Sequence, residues 1–133
     1  MGSILLKNIS LNGNIADIHI DKGIIRKICP SGQSGIPNSS SGTEIADCTG
    51  KAAIPGFINM HTHAAMSLMR GIAEDAPNLK VWLDKIWAVE AKLDYDFVYW
   101  GTKAACLEMI KTGTTTFNDQ YWFADQARKA AIE

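Results

Sequence analysis

Histidine is scarce in this chain: there are three in 133 residues, His19, His61 and His63, and none follows position 63. A site built from a large histidine cluster is excluded within these residues. Cysteine is equally rare. Cys29, Cys48 and Cys106 form no CxxC pair, so neither a disulfide framework nor a cysteine zinc site is expected. They read as free thiols, and the expected location is the cytoplasm. No sign of charge predominates, with 13 Lys plus Arg against 14 Asp plus Glu. The basic residues are scattered, so no footprint for nucleic acid or an anionic membrane is expected. Long apolar runs are also missing. The longest, Ala52 to Met69, is broken by Pro55, Gly56 and two histidines, whereas a membrane helix needs roughly 20 mostly apolar residues. The first residues, Met1-Gly2-Ser3-Ile4-Leu5-Leu6, carry neither the basic start of a secretion signal nor the hydroxyl residue of a myristoylation signal. Apolar residues make up 47% of the chain and charged residues 20%. That balance suits a packed core and argues against disorder.

Two stretches of different character follow one another. In residues 1–53, short β-branched runs alternate with turns. Ile4 to Ile9 reads as a strand, with a turn at Asn12-Gly13-Asn14. Ile15 to Ile20 alternates, with Ile18 and Ile20 on one face and Asp17 and His19 on the other, solvent-facing side. Asp21-Lys22-Gly23 turns the chain into a returning strand, Ile24 to Ile28. Pro30 to Gly42 is rich in Ser, Gly, Pro and Asn and reads as a mobile surface loop. A short strand, Glu44 to Cys48, closes a small β-layer.

From residue 54 to 133 the pattern becomes strand, helix, helix, strand, helix. Ala53 to Met60 is an apolar run that suits a strand buried on both faces. Asn78 is the expected N-cap of a helix reaching about Lys92, and Asp94 that of a second. The second helix carries the stripe Val98, Gly101, Ala105, Met109 and stops at Gly113. Thr114 to Asp119 is a β-branched strand, and Phe123 to Glu133 a last helix. Strands separated by helices imply a parallel sheet with helical crossovers.

His61 and His63 stand two apart at the end of the apolar strand. Residues i and i+2 of a strand share a face, so both imidazoles project together from its carboxyl end. In α/β barrels that end builds the active site. Imidazole is also the commonest metal ligand. Paired structural histidines are the plain alternative. Glu90 lies on the helical stripe Leu79, Leu83, Ile86, Glu90, Leu93, an unusual place for a carboxylate. It is either a pocket group or an edge residue paired with Lys85 or Lys92. Trp82, Trp87, Trp100 and Trp122 are candidates for the aromatic wall of a ring-binding pocket, and Trp82, near the same stripe, is the best of them. Trp100 is expected to pack in a core or an interface. Asp119 ends a strand at the histidine rim, where it orients a ligating histidine or caps a loop. Arg70 is expected to anchor the rim loop.

The block Pro55-Gly56-Phe57-Ile58-Asn59-Met60-His61-Thr62-His63, with Met66-Ser67-Leu68-Met69-Arg70-Gly71 after it, closely resembles the amidohydrolase superfamily. The nearest group contains methylthioadenosine and S-adenosylhomocysteine deaminases and triazine chlorohydrolases. The resemblance extends to Asp47, Gly50 and Lys51 upstream and to Gly113-Thr114-Thr115-Thr116 and Asp119 downstream. It implies an α/β fold: the front portion of a metal-dependent (β/α)8 barrel over residues 54–133, preceded by strands of a small β-sandwich over residues 1–53. It implies that His61 and His63 bind a divalent metal, zinc first and iron or nickel as alternatives. The reaction it implies is hydroxide addition to an electron-poor ring carbon with loss of ammonia or another leaving group. It implies, too, that Glu90 accepts hydrogen bonds from ribose hydroxyls.

The family's remaining ligands, two further histidines and an aspartate, and its acid–base glutamate are not expected within these residues, since a barrel takes about 250 residues. The chain is therefore expected to be a truncated product, the first piece of a split gene or an excised portion, inactive alone. It is expected to associate with itself or with a complementary segment. The leading function is an adenosine-type deaminase; a triazine chlorohydrolase and a non-catalytic fragment are the alternatives. A His, His, Asp119 iron triad is the weakest reading.

Overall fold

The computed structural model describes residues 2–33 and 42–133. The loop expected at Pro30 to Gly42 falls largely on 34–41, outside the described residues. The chain is mixed α/β and divides into two units, Met1–Pro55 and Gly56–Glu133.

The first unit is one sheet. Strands β1 (Ser3–Leu11), β2 (Asn14–Asp21), β3 (Ile24–Pro30) and β4 (Thr43–Asp47) lie in the order β3-β2-β1-β4, and the two-residue β5 (Ala52–Ala53) also pairs with β1. The β1–β2 and β2–β3 pairs are antiparallel hairpins, while β4 runs parallel to β1. Ile9, Ile18 and Cys48 form the buried core, with Leu6, Ile20, Ala46 and Ala53 packed on it. Asp17 departs from its expected solvent face, being only 5% exposed. The cause is an irregularity in β1 between Leu6 and Ile9, where Asn8 takes a positive φ of 60°. Its N–H then turns to donate to the Asp17 carboxylate at 2.9 Å, which satisfies the buried charge. His19 is half-buried, its Nε2 2.9 Å from the Ser3 hydroxyl.

The second unit holds β6 (Phe57–Thr62), a 3-10 helix (Ala64–Met69), α1 (Leu79–Glu90), α2 (Tyr95–Lys111), β7 (Thr114–Asp119) and α3 (Ala124–Ile132). Both expected caps form. The Asn78 side chain accepts from the Val81 N–H at 3.0 Å, and Asp94 from the Phe97 N–H at 2.8 Å. Gly113 ends α2 with φ of 90°, a conformation that glycine adopts without strain. Strands β6 and β7 pair in parallel, so their carboxyl ends coincide at Thr62 and Asp119.

The core of this unit is Ala65, Val98 and Ala127, with Phe97 and Tyr121 packed against it. Here α2 crosses the 3-10 helix so closely that a Cβ on Gly101 would lie 2.5 Å from the Ala65 carbonyl oxygen. The expected stripe of α2 is thus real, and its glycine is needed for the approach. The expectation of a strand buried on both faces fails for β6. Ile58 is 64% and Met60 68% exposed, because β6 pairs with β7 alone among the described residues. Trp100 is likewise not in a core. It is 60% exposed and lies edge-on to Tyr99, ring centroids 5.0 Å apart.

Candidate active-site cleft

The carboxyl ends of β6 and β7 open into a cleft of about 470 Å³. His61 and His63 come from the end of β6, and Met66 from the 3-10 helix. Trp82, Leu83, Ile86, Trp87 and Glu90 come from α1, and Gln120, Tyr121 and Trp122 from the loop after β7. Of the residues singled out in the sequence, His61, His63, Glu90 and Trp82 therefore lie on one cavity. Arg70 does not line it. It donates to both carboxylate oxygens of Glu108, one at 2.7 Å, across the exposed surface.

The two imidazoles lie edge to face with centroids 4.9 Å apart, the outcome of the two-residue period of a strand. His63 Nδ1 is 2.5 Å from the Gln120 carbonyl oxygen. A carbonyl only accepts, so Nδ1 is the donor, and in the neutral ring the lone pair then lies on Nε2. That tautomer suits a metal ligand binding through Nε2, its other N–H held by a carbonyl. The donor set thus suits a divalent metal at two coordination positions. Among the described residues no group of three or more His, Cys, Asp or Glu side chains is placed to hold a metal.

Asp119 sits at the same rim. Its Oδ1 accepts the Ala64 N–H at 2.8 Å, bracing the turn that follows His63. The Gln120 N–H donates to the Thr62 carbonyl at 3.0 Å. The turn that presents His63 is therefore tied to β7 by three bonds, from Ala64, from His63 and to Thr62.

Glu90 does not form an ion pair among the described residues. Lys85, one partner considered for it, bonds Asp75 at 3.3 Å. Glu90 Oε1 instead accepts from the Tyr121 hydroxyl at 2.8 Å. Burial and then the Glu90 carboxylate push the Tyr121 phenol well above its ordinary range, so it stays protonated and donating at neutral pH. Tyr121 escaped the sequence reading. The available signal was position: it belongs to the loop after a strand that ends beside the histidines, where α/β barrels gather functional residues. Trp87 and Trp122 join Trp82 on the cleft wall.

Residues 52–133 match the amidohydrolase family. The chain is 49% identical over 131 residues to a 5'-deoxyadenosine deaminase of Methanocaldococcus jannaschii, covering 98% of this chain and 30% of that protein. It is 53% identical over 92 residues to a 5-methylthioadenosine/S-adenosylhomocysteine deaminase of Desulforamulus reducens, covering 65% of this chain and 21% of that protein. In structure it resembles a mutant of the atrazine chlorohydrolase TrzN from Arthrobacter aurescens TC1 complexed with zinc and atraton, with a TM-score of 0.74, 26% identity, and coverage of 97% of this chain and 33% of that one. The chain thus spans under a third of the length of these proteins. With a family match over most of its length and a histidine pair at the carboxyl end of a strand, this chain belongs to the amidohydrolase family.

Proposed function

We propose that this chain is the metal- and nucleoside-binding front portion of a hydrolase that deaminates an adenosine-type substrate. The observation that carries the reading is the presence of His61, His63 and Glu90 on one cleft. Strands β6 and β7 with the helices after them are taken as the first strand–helix units of a (β/α)8 barrel. Residues 1–53 are taken as strands of a small β-sandwich. The parallel pairing of β6 and β7 supports the first assignment, and the structural likeness to the chlorohydrolase over 97% of the chain supports both.

His61 and His63 would hold the metal, and zinc is favoured because the chlorohydrolase is complexed with it. When bound, such an ion would lower the pKa of its water to near neutrality, so that hydroxide would be available at neutral pH. Deamination then adds water at the ring carbon bearing the amino group and releases ammonia. The chain's own residues position the reactants. The Gln120 carbonyl fixes the His63 ring, and Asp119 holds the turn behind it. Asp119 is proposed to act on the ligating histidine through this turn. Glu90 would accept the ribose hydroxyls. Trp82, Trp87 and Trp122 give the flat purine an apolar wall to stack on. Its place is taken to be the cytoplasm, on three free cysteines and the absence, among the described residues, of any helix long and apolar enough to cross a membrane.

The chlorohydrolase reading fits less well. A bare triazine offers no hydroxyls, so the Glu90 charge would be covered without a ligand partner. The test is a protein carrying this chain at the family's full length, assayed for ammonia release from 5'-deoxyadenosine and 5'-methylthioadenosine and for chloride release from atrazine. Ammonia release should dominate. Faster chloride release would overturn the reading.

A further inference from the structure

The loop Gln120–Trp122 reaches both ends of the cleft. Its Gln120 carbonyl holds His63, and the next residue, Tyr121, holds Glu90. The Tyr121 ring packs on the core of Ala65, Val98 and Ala127 and lies 6.1 Å from the His63 ring. Its hydroxyl therefore leaves from a fixed base. Helix α1, in contrast, has a different kind of support. Among the described residues, the Tyr121–Glu90 bond is the one side-chain hydrogen bond that joins α1 to the β7 side of the cleft.

A carboxylate accepts through about four lone-pair sites on two oxygens. The Tyr121 hydroxyl takes one site on Oε1 and fixes the plane and rotamer of the group. Oε2 receives no hydrogen bond among the described residues. We propose that Tyr121 is a positioning and specificity-determining residue: it holds Glu90 so that the carboxylate's unfilled sites face the sugar of a bound ribonucleoside. This inference rests on the reading of Glu90 as the ribose-binding group. It adds that the clamp is a two-residue device, with a fixed phenol that sets the carboxylate and a carboxylate that meets the hydroxyls. Without the phenol, Glu90 swings among rotamers on a helix edge, and the binding of the hydroxyls must pay to order it.

The test compares adenosine with 2',3'-dideoxyadenosine in the family-length enzyme, for the wild type, Tyr121→Phe, Glu90→Gln and the double variant. Tyr121→Phe keeps the ring packing and removes only the hydroxyl. Adenosine kcat/KM should fall about tenfold, chiefly through KM, as expected for the loss of one hydrogen bond to a charged group. Turnover of the dideoxynucleoside should not change, so the preference for adenosine should shrink. The double variant should be no worse than Glu90→Gln, because Tyr121 acts only through Glu90. Equal losses on both nucleosides, or additive losses in the double variant, would show a merely structural tyrosine and overturn the inference while the ribose clamp stands. A wild type that does not prefer adenosine would instead remove the clamp, and the inference with it.

Discussion

The two ends of the cleft are held by different means. At the histidine end, each bond has a main-chain group on at least one side. Gln120 reaches His63 through its carbonyl and Thr62 through its N–H, and Ala64 offers its N–H to Asp119. At the carboxylate end, a helix presents Glu90, and one side chain, Tyr121, holds it. Around Glu90 stand large residues that are more than half exposed, Trp87 and Trp122. The histidine end is thus held by three bonds, one purely main-chain and two that also need the side chains of His63 and Asp119. The carboxylate end depends on residue identity and can be tuned by substitution.

The contrast is broken most severely at the histidines. His61→Ala should abolish metal retention in the family-length enzyme and lower activity by several orders of magnitude, because the chemistry needs the ion. The cleft offers two imidazoles, whereas catalytic zinc sites use three protein ligands. This chain should therefore lose zinc on dialysis that the longer protein survives. Metal analysis after dialysis checks both statements. Stoichiometric zinc that persists in His61→Ala would show that other ligands hold it.

A smaller effect sharpens the contrast from behind the histidines. Gly101→Ala places a methyl 2.5 Å from the Ala65 carbonyl oxygen, which is backbone and cannot swing aside. The 3-10 helix that follows His63 must shift. The expected loss is about 1–3 kcal/mol, the usual range for overpacking a tight contact. Urea unfolding followed by circular dichroism would measure it. An unchanged midpoint would mean that the two helices separate easily, and that the histidine end is less rigid than its bonds suggest.

The smallest effect is expected at Arg70. Its pair with Glu108 is exposed on both sides, and such pairs are screened by salt and contribute little. Arg70→Ala should leave activity and the unfolding midpoint almost unchanged at physiological salt. A clear loss of nucleoside turnover would place Arg70 in the recognising end, against the geometry.

The same division explains what could be read in the sequence. Local rules were legible because their causes lie within a few residues. The caps at Asn78 and Asp94, the stop at Gly113 and the buried stripe Val98, Gly101, Ala105 are of this kind. So is the common direction of His61 and His63, which needs only the strand period. The 3-10 helix Ala64–Met69 was not legible, since six residues carry no periodic signal. The burial of Asp17 depends on a backbone turn at Asn8, nine residues away in sequence. The exposure of Ile58 and Met60 depends on how many strands flank β6, which no local pattern encodes. The partner of Glu90 lies 31 residues downstream, and the charge alternatives near it, Lys85 and Lys92, were the plausible local guesses.

The hold of Gln120 on His63 has a further consequence for how this segment tolerates mutation. The contact is made by a carbonyl oxygen, which every amino acid supplies, so alanine at position 120 would keep it. What cannot vary is the count of residues. Asp119 must meet Ala64, Gln120 must meet His63, and Tyr121 must meet Glu90, in three consecutive steps. Inserting or deleting a single residue here would put each of the three against the wrong neighbour. The segment is thus intolerant of any change in length, a constraint recorded in spacing as well as in letters.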